Sequence, residues 1–127
     1  MILVLIHWRI KADDASEEAF FNFWTELAKI DDKTNLIGEF LSVPVPANTF
    51  PFKVDDLSTG HSQTTCRHFI NVGAWKDWKS FNDQVGKYMD DAKPMKDFES
   101  ERRTRTVLDP KYWRVGGAIL PTSGTCE

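Results

Sequence analysis

The sequence predicts an α+β domain in which one antiparallel sheet carries two helices, and three observations lead there. Four segments alternate at the two-residue period of a strand or run apolar on both faces. Two others repeat large apolar residues at the helical period. The six fall in the order strand, helix, strand, long connection, strand, helix, strand.

The first strand spans Ile2–Lys11, where Leu3, Leu5, His7 and Arg9 alternate with Ile2, Val4, Ile6, Trp8 and Ile10. Its first half is apolar on both faces, the pattern of a central strand covered on two sides. The polar turn Ala12-Asp13-Asp14-Ala15 ends it. Asp14 with Glu17, or Ser16 followed by Glu17 and Glu18, then starts a helix. That helix runs from about Ser16 to Ile30, with Phe20, Phe23, Trp24, Leu27 and Ala28 on one apolar stripe. Asp31, Asp32, Lys33 and Asn35 turn the chain into a second strand, Leu36–Val45, with Gly38 as a bulge and Pro44 and Pro46 as its stop.

Residues 46–65 are rich in Pro, Thr, Ser, Asp and Gly; a connection this long serves as a lid, a binding loop or a disordered segment. The third strand, Cys66–Ala74, sets His68, Ile70 and Val72 on one face and Arg67, Phe69 and Asn71 on the other. It passes directly into a second helix, about Asp77–Met89, whose stripe is Trp78, Phe81, Val85, Tyr88 and Met89. Gly86 weakens that helix by about 1 kcal/mol relative to alanine. A short third helix is expected from Pro94, burying Met95 and Phe98. Arg103–Leu108 alternates as the last strand and Pro110 ends it; Tyr112–Leu120 is apolar enough to be ordered, and residues 121–127 read as a tail.

Two strand–helix–strand halves make the split βαβ arrangement of the ferredoxin-like fold, with both helices on one face of the sheet. The opposite face needs a cover because the first strand is apolar there too. A second copy of the chain, stacked sheet to sheet about a two-fold axis, is the simplest cover, so a homodimer is expected.

The 127 residues support a single domain over 1–127. A net charge of −3 argues against nucleic acid as a partner. No apolar run is long enough for a membrane span, and the first residues lack the basic start and cleavage site of a signal peptide. Cys66 and Cys126 therefore read as reduced thiols of a cytoplasmic protein, with a disulfide between them as the alternative. No phosphate-cradling glycine loop and no Gly-x-Ser-x-Gly elbow is present.

The apolar first strand, the aromatic helix and the junction Trp75-Lys76-Asp77-Trp78-Lys79-Ser80-Phe81 resemble the dimeric α/β-barrel superfamily. The nearest likeness is to its antibiotic-biosynthesis-monooxygenase-like group, which carries a Trp-x-Ser-aromatic junction; Trp78-Lys79-Ser80-Phe81 fits it, with Trp75 a rival for the tryptophan. The likeness covers Met1 to about Leu108 without the long connection. It implies a cavity between sheet and helices, and either cofactor-independent oxygenation, polyketide cyclisation, haem degradation or no activity. The haem-degrading branch carries a histidine on the second helix, and this chain has none after His68. Neither a cofactor nor a metal is therefore expected, and the three histidines show no short ligand spacing.

His7 is the leading acid–base candidate, with His68 second; both also read as buried histidines satisfied by a neighbour. The strand order expected for this fold makes the first and third strands neighbours, which sets His7 near His68 or Asn71. Arg9, Arg103 and Arg105 suit either a phenolate or a solvent-facing ion pair, with solvent favoured for the last two. Trp8 and Trp75 are candidate walls for an aromatic small molecule, Asn71 and Tyr88 candidate polar contacts to it, and the remaining aromatics read as core. The expected function is a cofactor-independent monooxygenase or cyclase acting on an aromatic or polyketide-like molecule. The alternative is a non-catalytic binding or interaction module of the same fold.

Overall fold

The computed structural model describes residues 1–55, 66–86 and 93–120. Strand β1 (Ile2–Lys11) is followed by helix α1 (Asp14–Asn22), β2 (Leu36–Ser42), β3 (Cys66–Trp75), α2 (Trp78–Val85) and β4 (Glu99–Leu108). The result is an α+β fold with one open four-stranded sheet, ordered β2-β3-β1-β4, and every neighbouring pair is antiparallel.

The alternation along β1 decides which side becomes the core. Val4, Ile6, Trp8 and Ile10 are buried, and Phe69 and Trp75 of β3 lie on the same side. Phe20 of α1 sets its ring 5.0 Å from Trp8 and 5.3 Å from Phe69, while Phe81 of α2 meets Trp75 at 5.9 Å. Both helices thus cover one face. Leu3, Leu5, His7 and Arg9 project from the other, beside His68, Ile70 and Val72.

Both helices begin on the same local device. Asp13 accepts a hydrogen bond from the Ser16 N–H at 2.7 Å, and Asp77 accepts one from Ser80 N–H at 2.8 Å. An aspartate three residues ahead of a serine satisfies an amide that the helix itself leaves without a partner. These bonds hold both carboxyls below the usual range. The first cap is Asp13 rather than Asp14 or Ser16, because the turn leaves Asp13 extended with its side chain over the first turn.

Several boundaries and the burial of Trp78 differ from the sequence expectation. The regular turns of α1 give way to a π-helical turn at Phe23–Leu27, closed by Ala28 N–H donating to the Phe23 carbonyl at 2.8 Å. The extra residue in that turn rotates the stripe, and Leu27 leaves the core for solvent. β2 stops at Ser42, and its register shifts between Leu36 and Gly38, where a bulge was expected. Pro94 starts no helix: residues 96–98 form a turn whose Phe98 and Glu99 amides both donate to the Met95 carbonyl. β4 consequently begins at Glu99, four residues before the expected start. Trp78 is half exposed rather than core, since the α2 surface that meets the sheet is centred on Phe81. Of the expected second helix, the part beyond Gly86 lies outside the described residues, as do the second half of the long connection and the tail.

Arg103 also departs from expectation. Instead of facing solvent it is buried, with Nη2 3.1 Å from Glu99 Oε1 and its guanidinium 5.3 Å from the centre of the Trp8 ring. Glu99 holds this position through two further bonds, accepting from the Met95 and Arg103 amides at 3.0 and 2.9 Å. Four residues apart on one strand, the two side chains share a face, and the breaks in the β1–β4 register between them shorten the distance they span.

Candidate functional site

The sheet divides the candidate residues into two groups. His7, Arg9 and His68 stand together on the face away from the helices, while Trp8, Asn71, Trp75 and Arg105 occupy helix-side register positions. A single small ligand cannot touch both groups through a sheet. Tyr88 lies outside the described residues. The family resemblance implies a cavity-facing His7 under the helices; the structure turns it the other way, because the more apolar even-numbered residues of β1 take the core.

On the open face, strand pairing brings the histidines together. Arg9 lies directly across from His68, and His7 across from Ile70, so His7 and His68 are diagonal neighbours within reach of long side chains. His7 Nε2 is 2.9 Å from His68 Nδ1. Arg9 Nη2 lies 3.4 Å from His7 Nδ1, and its Nη1 donates to Thr104 Oγ1 at 3.3 Å. At the far end, His68 Nε2 is 3.4 Å from the sulfur of Cys66, a free thiol.

These contacts fix the tautomers. A guanidinium only donates, so His7 Nδ1 accepts and a neutral His7 carries its proton on Nε2. That proton is donated to His68 Nδ1, which leaves the His68 proton on Nε2, facing Cys66 Sγ. The chain therefore runs in one direction, from Arg9 through His7 and His68 to Cys66. Burial is the main force that pulls His7 down to about 4 from its ordinary 6.5; the Arg9 and His68 charges add to it and Glu101 opposes it. His7 is neutral at pH 7 and holds a lone pair ready for a proton. Burial pushes the Cys66 thiol up, so it is a hydrogen-bond acceptor here rather than a thiolate nucleophile.

The helix-side group is packed rather than open. Trp8 and Trp75, expected as ligand walls, are buried, with Phe20, Phe23 and Phe98 packed beside the first and Phe81 beside the second. Asn71 Nδ2 donates to Glu39 Oε1 at 2.8 Å, and burial raises the Glu39 carboxyl against the effect of that bond. Two clefts open at the surface on this side. One of about 520 Å³ is lined by Lys11, Lys93, Pro94, Lys96, Glu99 and Ser100. The other, about 370 Å³, lies between Phe23, Leu27, Met95 and Phe98. Neither reaches His7.

Sequence reasoning passed over three participants. Cys66 was legible, since it sits two residues before His68 on one strand and so shares its face. Glu39 needed the register of β2 on β3, and Glu99 needed the break in β4; neither is written in a local pattern. Among the described residues, no three His, Cys, Asp or Glu side chains are placed to hold a metal ion, and no helix is long and apolar enough to cross a membrane. The chain matches no protein-family model and no curated protein.

Proposed function

We propose that this chain is a cofactor-independent small-molecule enzyme of the dimeric α/β-barrel, monooxygenase-like kind, built on a ferredoxin-like βαββαβ core. In this reading two copies stack through their open faces, work in the cytoplasm, and take an aromatic or polyketide-like substrate as monooxygenase or cyclase. The observation that carries it is the directed chain Arg9–His7–His68, with His7 neutral at physiological pH.

His7 Nδ1 takes an acidic phenolic or enolic proton when the substrate hydroxyl displaces the long Arg9 contact. The Nε2–H bond to His68 then strengthens, sharing the new positive charge over two rings, and Arg9 stabilises the oxyanion left behind. The resulting carbanion has two fates. It adds to dioxygen, so that a CH2 group becomes a ketone with one oxygen atom and the other leaves as water; or it adds to a carbonyl of the same molecule, and the alkoxide takes the proton back.

The test is oxygen uptake and product formation with anthrone, an enolisable tricyclic ketone, as probe. His7→Ala is expected to lower turnover by about 100-fold or more, and His68→Ala by less. Full turnover by His7→Ala would end the acid–base role. A second reading, a non-catalytic binding or interaction module, draws on the packed aromatic environment of Trp8 and Trp75. It predicts no turnover by either the unaltered protein or the variants.

A further inference from the structure

We infer that residues 111–120 form an arm that crosses to a second copy of the chain and packs on the apolar ridge beside the partner copy's β2. The inference rests on the homodimer proposed above and adds to it the segment that locks the two copies.

Two surfaces carry it. Beyond β4 the chain has no regular structure to residue 120, yet it is rich in large apolar side chains left largely in solvent: Tyr112 is 97% exposed, Val115 90%, Ile119 87%, and Trp113 and Leu120 each 66%. At the other edge of the sheet, Phe40, Val43, Val45 and Phe52 are also exposed, and the Phe50 and Phe52 rings stack at 5.4 Å. Scattered apolar residues on a surface are ordinary, but two contiguous sets are not. Both surfaces stand open to water among the described residues.

Topology explains why a single copy leaves both uncovered. The arm leaves from the end of β4 and the ridge follows β2; these are the two outer strands of the order β2-β3-β1-β4. To reach its own ridge the arm has to cross the sheet. When two sheets stack about a two-fold axis running along the strands, the β4 edge of one copy lies over the β2 edge of the other. The arm leaves level with Leu3 while Ser42, where the ridge begins, is level with His7, so the arm bridges about 10 Å between stacked sheets and runs roughly 13–25 Å along the strands, within the roughly 30 Å that ten extended residues span. At about 150–250 Å² for each large aromatic, two exchanged arms bring an interface close to the ~1,600 Å² of a stable complex. A second copy is the occupant because each copy carries both the arm and the ridge. The contact is self-complementary and closes on itself.

Light scattering after size exclusion tests this on three proteins: the full chain, a chain ended at Pro110, and the double variant Val115→Asp with Ile119→Asp. The two aspartates replace side chains that touch nothing in one copy, so the variant keeps its fold, which the far-ultraviolet spectrum checks. The full chain is expected to run at twice 14.6 kDa at 10 µM, and both altered proteins to run as single copies, with dimer affinity about 100-fold weaker. If both altered proteins dimerise as tightly as the full chain, the arm is overturned while the homodimer stands. A full chain that stays at 14.6 kDa up to 100 µM overturns the homodimer, and the arm with it.

Discussion

Replacing Glu99 with alanine destabilises the protein by about 3–5 kcal/mol, the usual cost of leaving one partner of a buried ion pair without its counter-charge. Both Glu99 and Arg103 have fully buried side chains, so no water reaches the guanidinium once the carboxylate is gone. The loss extends beyond the pair. Glu99 also accepts from the amides of Met95 and Arg103, and these two donors become buried without partners. Arg103 stays held over Trp8, where the indole face offers only part of the lost stabilisation. For a chain of this length the melting temperature falls by roughly 10–20 °C. Urea unfolding followed by circular dichroism measures it, and a loss under 1 kcal/mol would contradict the burial of the pair. The double variant Glu99→Leu with Arg103→Met recovers much of the loss, because apolar side chains of similar volume carry no desolvation cost.

A loss of similar size, about 3–5 kcal/mol, follows from Phe20→Ala. Phe20 has no exposed surface, and its ring touches those of Trp8, Phe21, Phe69 and Phe98 at 5.0–5.9 Å. It joins α1 to both central strands, so the cavity left by its removal lies where collapse is hardest: rigid sheet below and the turn that carries Phe98 beside it. Phe21→Ala is the control, since that ring is partly exposed and its removal opens the surface rather than the core. Its cost is about 1 kcal/mol. Equal losses for the two would contradict the assignment of the core face of α1.

Residue patterns of period two and 3.6 made most of the architecture legible. Alternation in β1 and β3 located the strands and put His68, Ile70 and Val72 on one face, as observed. The helical stripes located α1 and α2. Alternation alone did not show which face of β1 meets the helices. Both halves of that strand are apolar near its start, and the choice fell to Trp8 and Ile10 against His7 and Arg9 at its end. That one choice put His7 on the open side with His68, away from Asn71 and Trp75. The π-helical turn and the early start of β4 were illegible for a different reason. Each depends on a contact between distant parts of the chain: packing of Phe23 on Phe98, and pairing of Glu99 with Ile10 of β1. Local propensity carries no record of either.

The state of His7 can be read directly by nuclear magnetic resonance, from the ring nitrogen and carbon shifts of labelled protein titrated from pH 8 to 3. His7→Ala and His68→Ala variants assign the signals. The chain from Arg9 to Cys66 predicts that His7 is neutral with its proton on Nε2, and that it titrates at about 4 rather than 6.5. Because an unfolded histidine takes its proton near 6.5 while the native one waits until about 4, the fold loses stability as pH drops through that interval, and His7→Ala flattens this part of the profile. A His7 that carries its proton on Nδ1 would contradict the directed pair and with it the acid–base role on which the proposed chemistry depends, and one that titrates at 6.5 or above would contradict the burial of its ring.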